Sequence, residues 1–160
     1  MDRKLKALKK PGIMWGFSQA HSDRFARNLL WKETLSFPYS VKSSRSMKYI
    51  IIITFGLFFC HRMDIKNSSS TTRCKYYPAC DEPSLVLGTG HHSDPTSLAI
   101  LYQDQLGGLE HVVEPCPDAL VINVGDTFMS CLHRAVVNES MERKSMAFFM
   151  NPREDKVVNK

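Results

Sequence analysis

Residues 97–124 read SLAILYQDQLGGLEHVVEPCPDALVINV, and this stretch decides the fold class of the 160-residue chain. Apolar runs of four to six residues are cut by Gly107-Gly108 and by Pro115 to Asp118. Runs that short, divided by turn residues, suit antiparallel strands rather than helices. The same texture extends over residues 73–158 and predicts strands at Leu85 to Gly88, Ser97 to Gln103, Leu109 to Val113, Ala119 to Val124, Cys131 to Asn138 and Ser145 to Met150. Gly125-Asp126 and Asn151-Pro152 supply further turns. The expected class is mainly β, an antiparallel sandwich or barrel.

Towards the N-terminus the texture is lost. MDRKLKALKK is a basic arm stopped by Pro11 and Gly12, and residues 13–48 read as loops with one short helix near Ser22 to Trp31. Tyr49 to Cys60 (YIIIITFGLFFC) is strongly apolar, but twelve residues fall short of the roughly 20 that a spanning helix needs. It reads as a buried or ill-fitting strand and, left exposed, as an aggregation hazard. The polar string Lys66 to Thr72 (KNSSSTT) reads as a linker. Two regions are therefore expected: an irregular basic segment over 1–72 and a β domain over 73–158.

Charge and cysteine content exclude little. Residues 1–48 hold 11 Lys and Arg against 3 Asp and Glu, while the remainder holds 10 against 13. Such a front can touch nucleic acid or an anionic membrane, but scattered surface cations read first as a solvated face, so neither partner is expected. Cys60, Cys74, Cys80, Cys116 and Cys131 form an odd set without CxxC spacing or a secretory signal before them, which predicts a reducing, cytoplasmic setting.

Two constellations carry chemistry. In His92-Ser93-Asp94 an imidazole and a carboxylate stand two positions apart, so extended backbone points both to one side. His133, on a later predicted strand, can complete a two-His, one-carboxylate face that leaves the other side of a metal open, the arrangement of non-haem Fe(II) oxygenases. A lone His-x-Asp triplet also arises by chance among six His and sixteen acidic residues. Arg143-Lys144-Ser145 repeats the two-position spacing with a guanidinium and a hydroxyl, a carboxylate receptor or, taken alone, a solvated strand-edge charge.

Several strings in order resemble the plant 2-oxoglutarate/Fe(II)-dependent dioxygenases: Leu87 to Leu98 (LGTGHHSDPTSL), Leu101 to Leu109 (LYQDQLGGL), Cys131 to Asn138 (CLHRAVVN) and Arg143 to Phe149 (RKSMAFF). Tyr76 to Cys80 is similar to the family's Asn-Tyr-Tyr-Pro-Pro-Cys segment. The string that runs from Leu29 to Phe37 (LLWKETLSF) resembles the Leu-Pro-Trp-Lys-Glu-Thr motif of the gibberellin 20-oxidases. The resemblance implies a double-stranded β-helix, or jelly roll, with His92, Asp94 and His133 on Fe(II). Arg143 and Ser145 would hold the distal carboxylate of 2-oxoglutarate, and Tyr77 would add a hydrogen bond. It further implies oxidation of the C-20 carbon of gibberellin precursors with release of succinate and CO₂, ascorbate as supporting reductant, and a monomer; no side chain is assigned a catalytic role of its own.

The chain departs from that pattern. His92 and His133 stand only 41 positions apart, through losses before Pro117 and between Met129 and Ser130. Lys75 replaces the motif's Asn, Leu30 and Ala79 replace Pro, and His91 flanks the first ligand as a bystander. Residues 43–72 and the end of the chain show nothing of the family's supporting helices, as translation of an unspliced gene model would produce. Two alternatives follow: an inactive remnant that binds at most a metal or a partner, and a zinc module on Cys74, Cys80 and a nearby His, for which the spacing is poor.

Overall fold

Two nine-residue strands form the spine of the molecule in the computed structural model, which describes residues 8–13, 15–18, 29–39, 69–110, 119–124 and 131–151. They are β4 (Ser69–Tyr77) and β11 (Arg143–Asn151), paired antiparallel over their full length from Arg143↔Tyr77 to Asn151↔Ser69. β1 (Gly16–Ser18) and β3 (Glu33–Tyr39) extend the sheet on the β4 side, and β7 (Leu98–Gln103) and β9 (Val121–Val124) on the β11 side. The order is β1-β3-β4-β11-β7-β9, antiparallel throughout.

A second sheet places β10 (His133–Ala135) between β6 (Thr89–His92) and β8 (Leu109–Glu110). Side chains of both sheets line one interior cavity, Tyr77, Ala99 and Arg143 from the first and Thr89, His92 and His133 from the second. The result is a jelly-roll core, as the family resemblance implies and the turn-divided strands allow. A parallel pair, β2 (Leu29–Leu30) with β5 (Val86–Leu87), ties the N-terminal segment to the loop before β6. The one helical element among the described residues is a 3-10 turn at Pro83–Leu85, and no described helix is long and apolar enough to cross a membrane.

Several expectations change. Residues 69–72, read as linker, form the start of β4, because the β-branched Thr71 and Thr72 sit well in a strand whose backbone is paired on both edges. Residues 33–39, read as loop, form β3; Pro38 is tolerated because β1 pairs only with Thr34, Leu35 and Ser36 and leaves that end of β3 at the sheet edge. Leu85 belongs to the 3-10 turn rather than to a strand. The helix expected near Ser22 to Trp31 is not what its end forms, since Leu29–Leu30 is a strand whose backbone pairs with Val86–Leu87; residues 22–28, the apolar run 49–60, the strand expected over 111–113, the turns at 115–118 and 125–126 and residues 152–160 lie outside the described residues.

The inner face is more polar than an ordinary core. Arg143, Tyr77 and Leu98 are the largest fully buried side chains, and Asp94, His133, Thr89, Lys32 and Ser145 are buried with them. On β11 the alternation is plain: Arg143, Ser145 and Ala147 face inward while Lys144 and Met146 are exposed. The outer face of the large sheet leaves Leu35, Phe37, Tyr102 and Met146 exposed. The sheets close tightly at Gly88, where a Cβ would meet the Ala135 carbonyl oxygen at 2.7 Å and the Tyr77 ring at 3.0 Å. Gly88→Ala is expected to destabilise the fold by about 1–3 kcal/mol through overpacking against backbone that cannot yield, read as a lower urea midpoint at unchanged slope.

Candidate metal and co-substrate site

His92 and His133 are direct cross-strand partners, paired Cα to Cα between β6 and β10. Residues directly opposite in an antiparallel pair project to the same face, so the pairing itself sets the two rings side by side, with centroids 4.4 Å apart. Asp94 follows two residues after His92 and turns back over them. Its Oδ1 lies 3.9 Å from His92 Nε2 and its Oδ2 3.7 Å from His133 Nε2. Among the described residues these three form the group of His, Cys, Asp and Glu side chains able to share an ion, their donor atoms all within 4.8 Å of one another.

The hydrogen bonds around the group fix what it can do. His92 Nδ1 donates to the Gly90 carbonyl at 2.8 Å, and His133 Nδ1 to the Cys131 carbonyl at 2.9 Å. A carbonyl only accepts, so each neutral ring carries its proton on Nδ1 and turns a bare Nε2 lone pair toward Asp94. Burial holds the His92 pKa below its ordinary value, which keeps that ring neutral. Asn123 Nδ2 donates to Asp94 Oδ2 at 3.1 Å and orients the carboxylate. With the rings in that tautomer three ligating atoms converge, an arrangement suited to a cation. The three donor atoms lie close enough together to hold one first-row ion between them, with His92 half-buried and Asp94 and His133 buried.

Arg143 forms the other end of the cavity. It is 2% exposed, yet among the described residues no carboxylate pairs with it. Its Nε donates to the Gly107 carbonyl, Nη2 to Gln103 Oε1 at 3.1 Å and Nη1, at a long 3.5 Å, to Ser145 Oγ, while the Tyr77 ring lies 4.9 Å beneath the guanidinium carbon. Gly107 and Gly108 adopt φ of 74° and 82°, the left-handed conformation this turn requires, and a Cβ at Gly108 would meet Arg143 Cδ at 3.2 Å. Five N–H donors less three leaves two available to a ligand.

Further cations face the same interior. Lys32 Nζ donates to Thr89 Oγ1 at 3.1 Å, and that hydroxyl lies 3.1 Å from the Tyr77 hydroxyl. Burial pushes the Tyr77 phenol up, but Lys75, Arg143, the Thr89 hydrogen bond and Lys32 outweigh it and leave the pKa below its ordinary value. Every residue expected from the motifs (Tyr77, His92, Asp94, His133, Arg143 and Ser145) lines this one cavity. His91 is exposed and forms no part of its lining.

Comparison with known proteins agrees with the geometry. The family model of the 2OG-Fe(II) oxygenase superfamily matches residues 68–152, over half of the chain. The chain belongs to that superfamily. Gibberellin 20 oxidase 2 of Oryza sativa subsp. indica is 41% identical to it over 208 aligned positions, covering 99% of this chain and 54% of the relative, and gibberellin 20 oxidase 1 of Arabidopsis thaliana is 37% identical, covering 99% and 55%. The chain thus spans about half the length of the curated relatives it matches. Because the alignments exceed the chain's own 160 residues, the relatives carry internal residues that this chain lacks. Among solved structures, JOX2 in complex with 2OG, Fe and JA superposes with a TM-score of 0.67 at 26% identity, covering 91% of this chain and 57% of that one. The dioxygenase for auxin oxidation 1 from Arabidopsis thaliana, at 20% identity and a TM-score of 0.68 over 98% of this chain and 74% of that one, shares the fold.

Sequence reading missed Thr89, Asn123, Gln103 and Lys32. Asn123 and Gln103 left a signal, each a polar residue within an otherwise apolar strand. Thr89 and Lys32 left none beyond the quoted strings that contain them. The zinc alternative is not what the structure assembles: among the described residues no Cys joins the metal-capable group, and Cys74, Cys80 and Cys131 are free thiols. Cys74→Ser is expected to leave bound metal, measured by mass spectrometry after metal loading, unchanged.

Proposed function

We propose that this oxygenase binds Fe(II) on His92, Asp94 and His133 and 2-oxoglutarate on Arg143, Ser145 and Tyr77, and oxidises the C-20 carbon of gibberellin precursors. The single observation that carries this reading is a fully buried arginine with two N–H donors to spare, set in one cavity with three converging metal-type acceptors. A buried cation without a carboxylate is costly unless an anionic ligand completes it.

With Fe(II) and 2-oxoglutarate bound, the chemistry supplied is oxidative decarboxylation to succinate and CO₂ coupled to oxidation of the substrate. The protein's own part is positional. Backbone carbonyls of Gly90 and Cys131 hold the two imidazoles in the ligating tautomer, and Asn123 aims the carboxylate. The Gly107 carbonyl, Gln103 and the Tyr77 ring hold the guanidinium fork, so that a carboxylate is met in fixed geometry. The gibberellin assignment rests on the 37–41% identity to gibberellin 20 oxidases and on Leu30 to Thr34, which docks through the Trp31 amide on the Leu87 carbonyl and Trp31 Nε1 on the Ala79 carbonyl. Residues 73–158 hold every candidate ligand; the oxygenase works as a cytoplasmic monomer, with ascorbate as reductant and with neither nucleic acid nor membrane as partner.

Succinate release from 2-oxoglutarate with Fe(II) and ascorbate, enhanced by a C-20 gibberellin, is the expected result, and release no greater than that of a His92→Ala control overturns the reading. Fe(II) with 2-oxoglutarate is also expected to raise the midpoint of a cooperative thermal transition, because ligands of the folded state stabilise it by mass action. An inactive remnant that has lost the site shows no such rise.

A further inference from the structure

Lys32 is 5% exposed and does not itself line the cavity, yet its ammonium is built into the wall behind it. β2 pairs with β5, the Trp31 amide donates to the Leu87 carbonyl at 2.9 Å, and Glu33 stands opposite Tyr76, so the residue between Trp31 and Glu33 is delivered beside Thr89. A buried ammonium is costly unless its protons are taken up, and one of them goes to Thr89 Oγ1 at 3.1 Å. An ammonium only donates, so the threonine hydroxyl accepts. Its own proton is then left for the Tyr77 hydroxyl 3.1 Å away, and a hydroxyl that accepts from a cation is polarised to donate more strongly. With the Tyr77 oxygen accepting from Thr89, the phenol proton is left over. Among the described residues the Tyr77 hydroxyl has no other hydrogen-bond partner, and Tyr77 lines the cavity with His92, Asp94, His133 and Arg143. Its ring is held in place by Gly88, where a Cβ would meet it at 3.0 Å, and by the guanidinium 4.9 Å from its centre.

We propose that Lys32 is a positioning residue, which acts through Thr89 to keep the Tyr77 phenol proton turned to the cavity, so that Tyr77 meets the co-substrate carboxylate as a donor. This rests on the reading of the cavity as a 2-oxoglutarate site and goes beyond it, since neither Lys32 nor Thr89 has a part in that reading. Without the lysine, Thr89 is free to accept from Tyr77 instead, and the phenol then offers lone pairs to the anion. An ionised carboxylate only accepts, so that orientation repels it. Burial pushes the Tyr77 phenol up, and the Thr89 hydrogen bond and Lys32 are among the groups that bring it down, the sign expected of a donor and a cation beside the oxygen. The lysine and the threonine stand 57 positions apart, in the strings LLWKETLSF and LGTGHHSDPTSL, so only the fold makes them a pair.

The test is the affinity of the full chain for 2-oxoglutarate by calorimetry, with Mn(II) in place of Fe(II) and no gibberellin present, so that no turnover occurs and the co-substrate alone is read. Tyr77→Phe is expected to weaken binding about tenfold or more, the effect of one hydrogen bond to a charged group. Lys32→Met and Thr89→Val are each expected to weaken it about threefold or more, while Thr89→Ser, which keeps the hydroxyl, binds as the wild type does. In a chain that already carries Tyr77→Phe, neither Lys32→Met nor Thr89→Val costs more than about twofold further, because the group they act on is gone. Mn(II) affinity stays at the wild-type value throughout, and should Lys32→Met fail to hold Mn(II), Thr89→Val carries the same cycle. A loss from Lys32→Met that is as large with Tyr77→Phe as without it makes the lysine a bare charge or a packing group and overturns the proposal. Unchanged affinity in Lys32→Met and Thr89→Val, alongside weakened binding in Tyr77→Phe, overturns it too and leaves the co-substrate site standing. A wild-type chain that binds no 2-oxoglutarate overturns the reading of the site itself.

Discussion

Replacing His133 with alanine is expected to lower Fe(II) affinity at least about 100-fold and to bring succinate release to background. Loss of a group that merely orients a ligand already costs about 10–100-fold in metal affinity, and His133 is placed to be a ligand itself. Its ring is buried, its tautomer is fixed by the Cys131 carbonyl, and its bare nitrogen is 3.7 Å from the Asp94 carboxylate. The backbone pairing to His92 needs only main-chain atoms, so the β6–β10 ladder survives the substitution and the loss is one of ligation rather than of folding. Far-UV circular dichroism matching the wild type, together with metal content by mass spectrometry, separates the two. A variant that keeps stoichiometric Fe(II) would remove His133 from the ligand set.

Arg143→Met is expected to raise the dissociation constant for 2-oxoglutarate at least about 100-fold while metal affinity holds. Two charge-assisted hydrogen bonds to one carboxylate contribute about 3 kcal/mol or more, and the methionine fills much of the vacated volume without a charge. The split between the two affinities is the diagnostic, since a variant that had simply unfolded would lose both. Arg143→Lys is expected to recover only part of the loss. A single ammonium cannot serve the Gly107 carbonyl, Gln103 and a bidentate carboxylate together, whereas the planar guanidinium fork does so in one rotamer. Titration of 2-oxoglutarate against each Mn(II)-loaded variant reads both effects.

How much of this was legible before folding depended on local signal. Strands β7, β9, β10 and β11 were visible because apolar runs between turn residues leave few other readings, though β10 is shorter in the structure than its expected span. β4 was half hidden: Ser69 to Thr72 reads as solvent-exposed linker, and only its pairing to β3 and β11 makes it a central strand. β3 was hidden by Pro38 and by its polar face, where Thr34 and Ser36 are buried on the side they share with Lys75 and Arg73. Such strands violate the alternation rule because the interior they face is polar rather than an apolar core.

The sequence by itself determined the chemistry on offer: an imidazole and a carboxylate two residues apart, a second histidine on a later strand, a guanidinium and a hydroxyl two residues apart, and a lysine in place of a neutral amide. Side-chain identity and the two-residue period of extended backbone are local properties, so they can be read in a string. Only the tertiary structure decided whether these groups meet. The register His133↔His92 is set by hydrogen bonds between segments 41 positions apart, and a slip of one residue would have turned His133 to the opposite face. The same holds for Lys75 and Arg143, whose common face follows from the β4–β11 register. Pairing between distant strands is a non-local choice, and it turned a set of residues into a site.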